Sequence, residues 1–208
     1  MAKLYFRYGA MNCGKTTALM QVAHNYKERG MDVMVIKPVQ DTKGDYKLVS
    51  RIGLLRKVDY LIEKDANLYE TLLERHPLVH PADTIIPATH CILIDEAQFL
   101  TREQVNQLLK IVVRLDIPVI CYGLRTDFKL DGFEGATRLL ELAHSIEELK
   151  NICSCGKKAI ANSRWVKEKM ITEGEQIVID NIENKDIVYT PLCYNCYFTY
   201  KFRGTSEK

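Results

Sequence analysis

Residues 9–16 read Gly-Ala-Met-Asn-Cys-Gly-Lys-Thr, set between the apolar run Leu4, Tyr5, Phe6 and a stretch with helical spacing. Glycine at the first and sixth places, followed by lysine and threonine, is the phosphate-binding P-loop pattern, and its flanks supply the strand and helix that the pattern requires. Backbone N–H groups of such a turn wrap phosphate oxygens, and a helix starting directly behind them adds the positive end of its dipole. Gly9 and Gly14 are expected to supply the unusual backbone angles, with Ala10, Met11, Asn12 and Cys13 forming the turn between them. Lys15 is expected to bridge the β- and γ-phosphates of a nucleoside triphosphate, and the Thr16 hydroxyl to take one position on the magnesium ion that travels with ATP. Thr17 completes the expected nucleotide contacts of the turn.

Composition leaves few other classes open. With 208 residues the chain is long enough for one good core plus a small appendage, and 47% hydrophobic with 27% charged residues is ordinary globular composition. A formal charge of +2 falls short of a nucleic-acid footprint. The densest basic stretch, Lys157, Lys158, Arg164, Lys167 and Lys169, is interrupted by apolar residues and reads as a solvated loop. No run approaches membrane-spanning length and no extended apolar stretch follows Lys3, so the expectation is a cytoplasmic protein without nucleic-acid or membrane partners. Seven cysteines in that compartment argue for thiols and metal over disulfides.

Strand and helix signals alternate through residues 3–150, which predicts a parallel sheet covered on both faces. Leu19, Val22, Ala23 and Tyr26 recur at helical spacing, and Gly30 stands where a helix ends. Residues 32–37 read as a second strand. Residues 39–53 are polar, show neither period and read as a long mobile loop, either a lid over the phosphate site or plain surface. Residues 65–75 read as a helix and 91–95 as a buried strand whose apolar residues run into Asp95 and Glu96. That pattern is what the second half of a P-loop site requires: Asp95 would orient magnesium, and Glu96 would accept a proton from an attacking hydroxyl or water. Thr101 and Gln104 form a capping box that opens a helix whose Val105, Leu108, Leu109 and Val112 face the core.

The cysteines fall into groups. Cys91 and Cys121 lie in apolar strand-like runs and read as small buried hydrophobes. Cys153 and Cys155 form one close pair, and Cys193 and Cys196 another, inside a polar, turn-rich C-terminal segment. Four thiolates suit one tetrahedral zinc and leave no open position for a substrate, so its expected role is structural.

What attacks the γ-phosphate separates a kinase from an ATPase. An acceptor that already carries phosphate calls for several arginines, yet only Arg125 is basic among Gly123, Leu124, Arg125, Thr126, Asp127 and Phe128, which follow the strand-like run 118–122. Phe99, Phe128 and Phe133 suit a flat, uncharged base, and suit a hydrophobic core equally well.

The P-loop, the block Asp95, Glu96, Ala97, Gln98, Phe99, the block 122–128 and the terminal cysteine pairs, in that order, resemble the cytosolic zinc-containing (type II) thymidine kinase family in its bacterial branch, over residues 4–197. The resemblance implies an α/β fold with a RecA-like P-loop NTPase parallel sheet flanked by helices and a small C-terminal zinc-ribbon or lasso domain. The kinase domain is expected over 1–150, the zinc-binding lasso over 151–200 and a tail over 201–208. The implied activity is transfer of the γ-phosphoryl group of ATP to the 5′-hydroxyl of thymidine or deoxyuridine, in nucleoside salvage. Zinc on Cys153, Cys155, Cys193 and Cys196, a homotetramer and feedback inhibition by thymidine triphosphate (dTTP) are implied with it.

By position, the family's general base falls on Glu96, Gln98 joins the nucleotide contacts, and the nucleoside pocket falls on Met11, Phe99, Leu124, Phe128, Phe133, Val178 and Tyr189. Residues 180–186 stand where relatives carry a Gly-Gly turn, and Asn162 and Ser163 match no assigned position. Arg51 and Arg125 are the candidates to approach the transferring phosphoryl group. Outside this family, the same Lys15, Asp95 and Glu96 would serve a RecA-like DNA-dependent ATPase with water as nucleophile, and a zinc-ribbon module that merely retains nucleotide would show no turnover.

Overall fold

Six short strands pair side by side in a computed structural model that describes residues 1–41, 46–75, 89–176 and 187–203. The first part of the chain runs β1 (Leu4–Tyr8), α1 (Lys15–Glu28), β2 (Val33–Pro38), β3 (Lys47–Val49), β4 (Leu55–Lys57), β5 (Tyr60–Ile62), α2 (Leu68–Arg75), β6 (Cys91–Ile94), a 3-10 turn (Ala97–Phe99), α3 (Arg102–Leu115), β7 (Val119–Gly123), α4 (Glu134–Leu142) and β8 (Ser145–Glu148). The order across the main sheet is β5-β2-β6-β7-β1-β8, and every pairing in it is parallel. This is the α/β architecture that the alternation predicts.

A parallel sheet needs cover on both faces, and successive side chains of the strands other than the exposed edge strand β8 divide between two cores. Phe6, Ile92, Ile94, Val119 and Cys121 join α3 and α4 on one face, while Leu93, Ile120 and Tyr122 join Leu19, Met20 and Ala23 of α1 on the other. Cys91 and Cys121 are fully buried, as small hydrophobes are. α1 stops where Gly30 takes φ 69°, with Met31 N–H donating to Tyr26 O and Gly30 N–H to Lys27 O, a Schellman cap. At Thr101 both halves of the capping box form, and the helix behind it buries Val105, Leu108 and Val112, with Leu109 partly buried.

Of residues 39–53, expected as a loop, 42–45 lie outside the described residues and the rest include a strand. Lys47–Val49 pairs antiparallel with Leu55–Lys57, anchored by Leu48, which is 2% exposed. Strands of three residues are too short to show a period of two, which is why the hairpin is invisible in the sequence. The basic stretch is also not a solvated loop: it contains a strand in which Arg164 is 3% exposed.

The C-terminal part consists of β9 (Asn151–Ile152), β10 (Lys158–Ala159), β11 (Ala161–Val166), β12 (Lys169–Ile171), β13 (Ile187–Leu192) and α5 (Tyr194–Arg203). β9 and β10 form a hairpin, and β12-β11-β13 form an antiparallel sheet with a core of its own around Trp165, Leu192 and Tyr197. α5 runs through the expected boundary at 200 into the expected tail. No helix among the described residues is long and apolar enough to cross a membrane.

One close approach ties this packing to the residues after β6. A Cβ added at Gly135, in the first turn of α4, would stand 2.5 Å from Leu100 O and 2.8 Å from Ala97 O. Both are backbone atoms that cannot swing aside, so Gly135→Ala is expected to cost about 1–3 kcal/mol of stability in urea unfolding. A wild-type midpoint would mean that the turn at Ala97–Phe99 yields.

Candidate active site

The P-loop leaves β1 at Gly9 and enters α1 at Lys15. Gly14 has φ 84° and Asn12 φ 66°, so the left-handed angles fall on these two residues. Gly9 is needed for space instead: a Cβ there would lie 2.5 Å from both Cys13 Sγ and Leu149 O. Lys15 is buried, its ammonium donating to Ala10 O at 3.1 Å and Gly9 O at 3.4 Å. Met11, Asn12, Gly14, Lys15, Thr16 and Thr17 line a cavity of about 610 Å³; Gly9, Ala10 and Cys13 do not.

Asp95 follows β6, one strand removed from β1, and reaches the P-loop through the Thr16 hydroxyl, which donates to Asp95 Oδ2 at 2.9 Å. Its other oxygen, Oδ1, is buried without a hydrogen-bond partner among the described residues. A buried carboxylate oxygen left over beside a threonine hydroxyl suits a hard divalent cation or its bound water. Burial pushes the Asp95 carboxyl up to about 7, helped by the charge of Glu96 and opposed by the Thr16 hydrogen bond and the Lys15 ammonium.

Glu96 has φ 49° and ψ 39°, a left-handed conformation uncommon for a residue with a side chain. Its Oε2 accepts from Gln98 Nε2 at 2.6 Å, while Gln98 Oε1 accepts from Leu124 N–H at 2.9 Å. Gln98, expected on the nucleotide, therefore spends both ends of its buried amide holding Glu96 to the end of β7. Gly123 makes room for it, since a Cβ there would meet Gln98 Oε1 at 2.8 Å.

Aromatic residues line the same cavity as Glu96. Phe99 and Phe133 meet edge to face at 5.8 Å, and Leu124, Phe128 and Tyr189 complete this wall. Phe133 also belongs to the main core, and Phe99 packs against it. Arg51 lines the cavity; Arg125 does not, and donates to the Tyr194 hydroxyl at 3.0 Å. Val178 and residues 180–186 lie outside the described residues.

The four C-terminal thiols converge. Cys153 and Cys155 from the β9–β10 turn meet Cys193 and Cys196 from the start of α5, with all four sulfurs within 4.8 Å of one another and Cys155 Sγ 3.6 Å from Cys193 Sγ. Tetrahedral Zn–S bonds of about 2.3 Å place sulfurs roughly 3.8 Å apart, so the cluster fits such an ion.

Over residues 2–197 the chain matches the family model described as "Thymidine kinase". It is 44% identical to a thymidine kinase of Legionella pneumophila across 100% of this chain and 92% of the relative. Against thymidine kinases of Salmonella choleraesuis and of phage T4 the identities are 43% and 44%, covering 95% and 93% of this chain and 91% and 94% of the relatives. The chain belongs to the thymidine kinase family.

Within this thymidine kinase family member, several residues that join the site carry no motif. Asn162 Oδ1 accepts from Met11 N–H at 2.7 Å, and Asn151 Nδ2 donates to Met11 O at 2.8 Å, so the C-terminal part grips the P-loop by one residue. Asn162 Nδ2 also donates to Thr126 O at 3.2 Å. Asp127 Oδ1 accepts from the N–H groups of Lys129 and Asp131, fixing the turn that follows Phe128, and its Oδ2 accepts from Gln176 Nε2. Asn151, Asn162, Gln176 and Asp127 are far apart in the chain, and no fixed spacing in the sequence joins them.

The raised Asp95 value has a consequence for stability. Its folded value of about 7 lies above the ordinary 3.8, so the folded chain holds that proton more tightly than the unfolded chain. The contribution of Asp95 to stability is therefore fully present below the unfolded value and is lost as pH rises through about 7. In nucleotide-free protein, Asp95→Asn is expected to flatten the decline of unfolding free energy between about pH 5 and 7.5, measured by urea titration. An unaltered slope would remove this account.

Proposed function

We propose that this chain transfers the γ-phosphoryl group of ATP to the 5′-hydroxyl of thymidine or deoxyuridine. The supporting observation is that the Glu96 carboxylate, held by Gln98, lies on a cavity shared by the P-loop residues Lys15 and Thr16 and the aromatic residues Phe99, Phe128, Phe133 and Tyr189. A carboxylate between a phosphate cradle and an uncharged aromatic wall suits a neutral hydroxyl acceptor on a flat base.

In this reading the P-loop N–H groups and Lys15 hold the phosphates of ATP. Glu96 accepts the proton of the 5′-hydroxyl as its oxygen bonds to the γ-phosphorus, and the bond to the β,γ-bridging oxygen breaks with its electron pair leaving on ADP. Thr16 and Asp95 would hold the accompanying magnesium, which supplies neutralisation of phosphate charge. Most of the acceleration then comes from positioning and charge. Arg51, on the cavity, is the better placed of the two candidate arginines.

The test is ATP consumption with no acceptor, with thymidine, with deoxycytidine and with single-stranded DNA. Turnover dependent on thymidine, yielding its 5′-monophosphate, is the expected result; stimulation by DNA alone would establish the ATPase reading in its place. Glu96→Gln is expected to lower kcat by about 10²–10⁴ with ATP binding retained, and near-normal turnover would remove the base assignment.

The cysteine cluster is proposed to hold one structural zinc per chain. Trp165, the single tryptophan, packs in the same small core as Cys153, Cys193 and Cys196. Chelation is expected to shift its emission to the red and raise the thymidine KM before the ATP KM. Unchanged emission and kinetics in metal-free protein would remove that role. We further take 1–150 as the P-loop kinase domain, 151–200 as the zinc-binding lasso domain that closes over the nucleoside, and 201–208 as a tail. A cytoplasmic homotetramer inhibited by dTTP rests on the family resemblance, and light scattering with and without dTTP, alongside inhibition kinetics, tests assembly and inhibitor together.

A further inference from the structure

We infer that Arg164 is a positioning residue for the nucleoside side of the cavity, fastening Phe128 and Tyr189 in the arrangement that receives the base. The inference rests on the kinase reading above. Arg164 lies in β11 and is 3% exposed, yet its hydrogen-bond partners among the described residues, a hydroxyl and two backbone carbonyls, carry no charge. Its Nε donates to the Tyr189 hydroxyl at 2.9 Å, Nη1 to Glu175 O at 2.9 Å and Nη2 to Gln176 O at 3.2 Å. Its Cζ stands 3.6 Å from the centre of the Phe128 ring and 5.4 Å from that of Tyr189.

One planar group therefore joins four separate stretches of chain: β11, the loop after β7, the segment at 175–176 and β13. Burying a cation costs stability unless its donors are satisfied, and an apolar side chain would fill the same space more cheaply. What an apolar residue cannot do is hold a hydroxyl, two carbonyls and a ring face in fixed relation. Phe128, Gln176 and Tyr189 line the cavity, whereas Arg164 does not. Its influence on substrate must pass through them. Neighbouring geometry serves the same end: Gly174, with φ 118°, turns the chain past the guanidinium, its would-be Cβ 3.8 Å from Arg164 Nη1. Gln176 is held from its other end by Asp127, whose neighbour in the chain is Phe128. Lysine has the charge but neither the plane nor the fork, so it cannot replace these contacts.

The experiment compares wild type, Arg164→Lys and Arg164→Met by KM for thymidine, KM for ATP, equilibrium dialysis of thymidine without ATP, and melting temperature. Both variants are expected to weaken thymidine binding about tenfold or more with the ATP KM within about twofold of wild type, lysine restoring little. Tyr189→Phe combined with Arg164→Met is expected to cost less than the product of the single effects, because both act on one contact. Wild-type thymidine binding in Arg164→Met would overturn the inference. So would a parallel rise in both KM values with a lower melting temperature, or failure of both variants to fold, since each assigns Arg164 to structure alone. A wild-type protein inactive on thymidine is a different failure: it sinks the kinase reading before any variant is made, and this inference with it.

Discussion

Parallel register is the constraint on which the site depends. Ile94 pairs with Cys121 and Phe6 pairs with the same residue, so β6, β7 and β1 run in step toward one edge of the sheet. The residues that follow each strand, Asp95 and Glu96 after β6, Leu124 after β7 and Gly9 after β1, are delivered to that edge together. Open α/β sheets place their ligands beyond the carboxyl ends of the strands for this reason. The hydrogen bond from Thr16 to Asp95 spans the intervening strand, and only in this register does it come to 2.9 Å. A slip along any one strand would separate the phosphate cradle from the carboxylates.

Around this edge the backbone is held in conformations it does not prefer. Asn12, Glu96 and Leu130 all have positive φ, and each belongs to a turn near the cavity or its wall. Such angles cost on the order of 1 kcal/mol or more for residues with a side chain and persist where surrounding contacts over-determine them. Those contacts are identifiable. Met11, next to Asn12, is gripped by Asn151 and Asn162; Glu96 is tied to Gln98; Leu130 sits in the turn closed by Asp127. Strain and restraint coincide at the P-loop turn, at Glu96 and beside Phe128.

The parts of the site legible in the sequence are those whose chemistry is written in fixed local spacing. Residues 9–16, the apolar run into Asp95 and Glu96, the Thr101 capping box and the two cysteine pairs each bring their own context within a few residues. The P-loop glycines were legible as a pair but not by role, because φ and close approach are indistinguishable in a sequence: Gly14 supplies the angle and Gly9 the space. The family position of Gln98 implies a nucleotide contact, while its amide bonds Glu96 and Leu124. Arg164 was the furthest from its expected setting. Among Lys157, Lys158, Lys167 and Lys169 it looks like one more surface charge, and only the pairing of β11 between β12 and β13 turns it inward. Long-range partners such as Tyr189 and Glu175 leave no periodic trace.

The C-terminal part has little apolar mass, and its hold on the cavity is correspondingly polar. Its core gathers around Trp165, Tyr197 and the four thiols, and from there a few directed bonds reach across. The Tyr197 hydroxyl donates to Phe128 O at 2.6 Å, Arg164 covers the ring of the same residue, and Gln176 bonds Asp127 beside it. Phe128 is thus held through both its backbone and its ring, and Tyr197 shares its core with three of the four cysteines. Apolar packing alone is tolerant of small shifts, since many side-chain arrangements fill a volume comparably well. Directed hydrogen bonds in a buried setting are not, because each unmade bond there carries a desolvation cost. A cavity wall fastened to the rest of the fold is better served by the second kind of contact, and Met11, gripped by two asparagines of the same C-terminal part, extends that control to the phosphate turn itself.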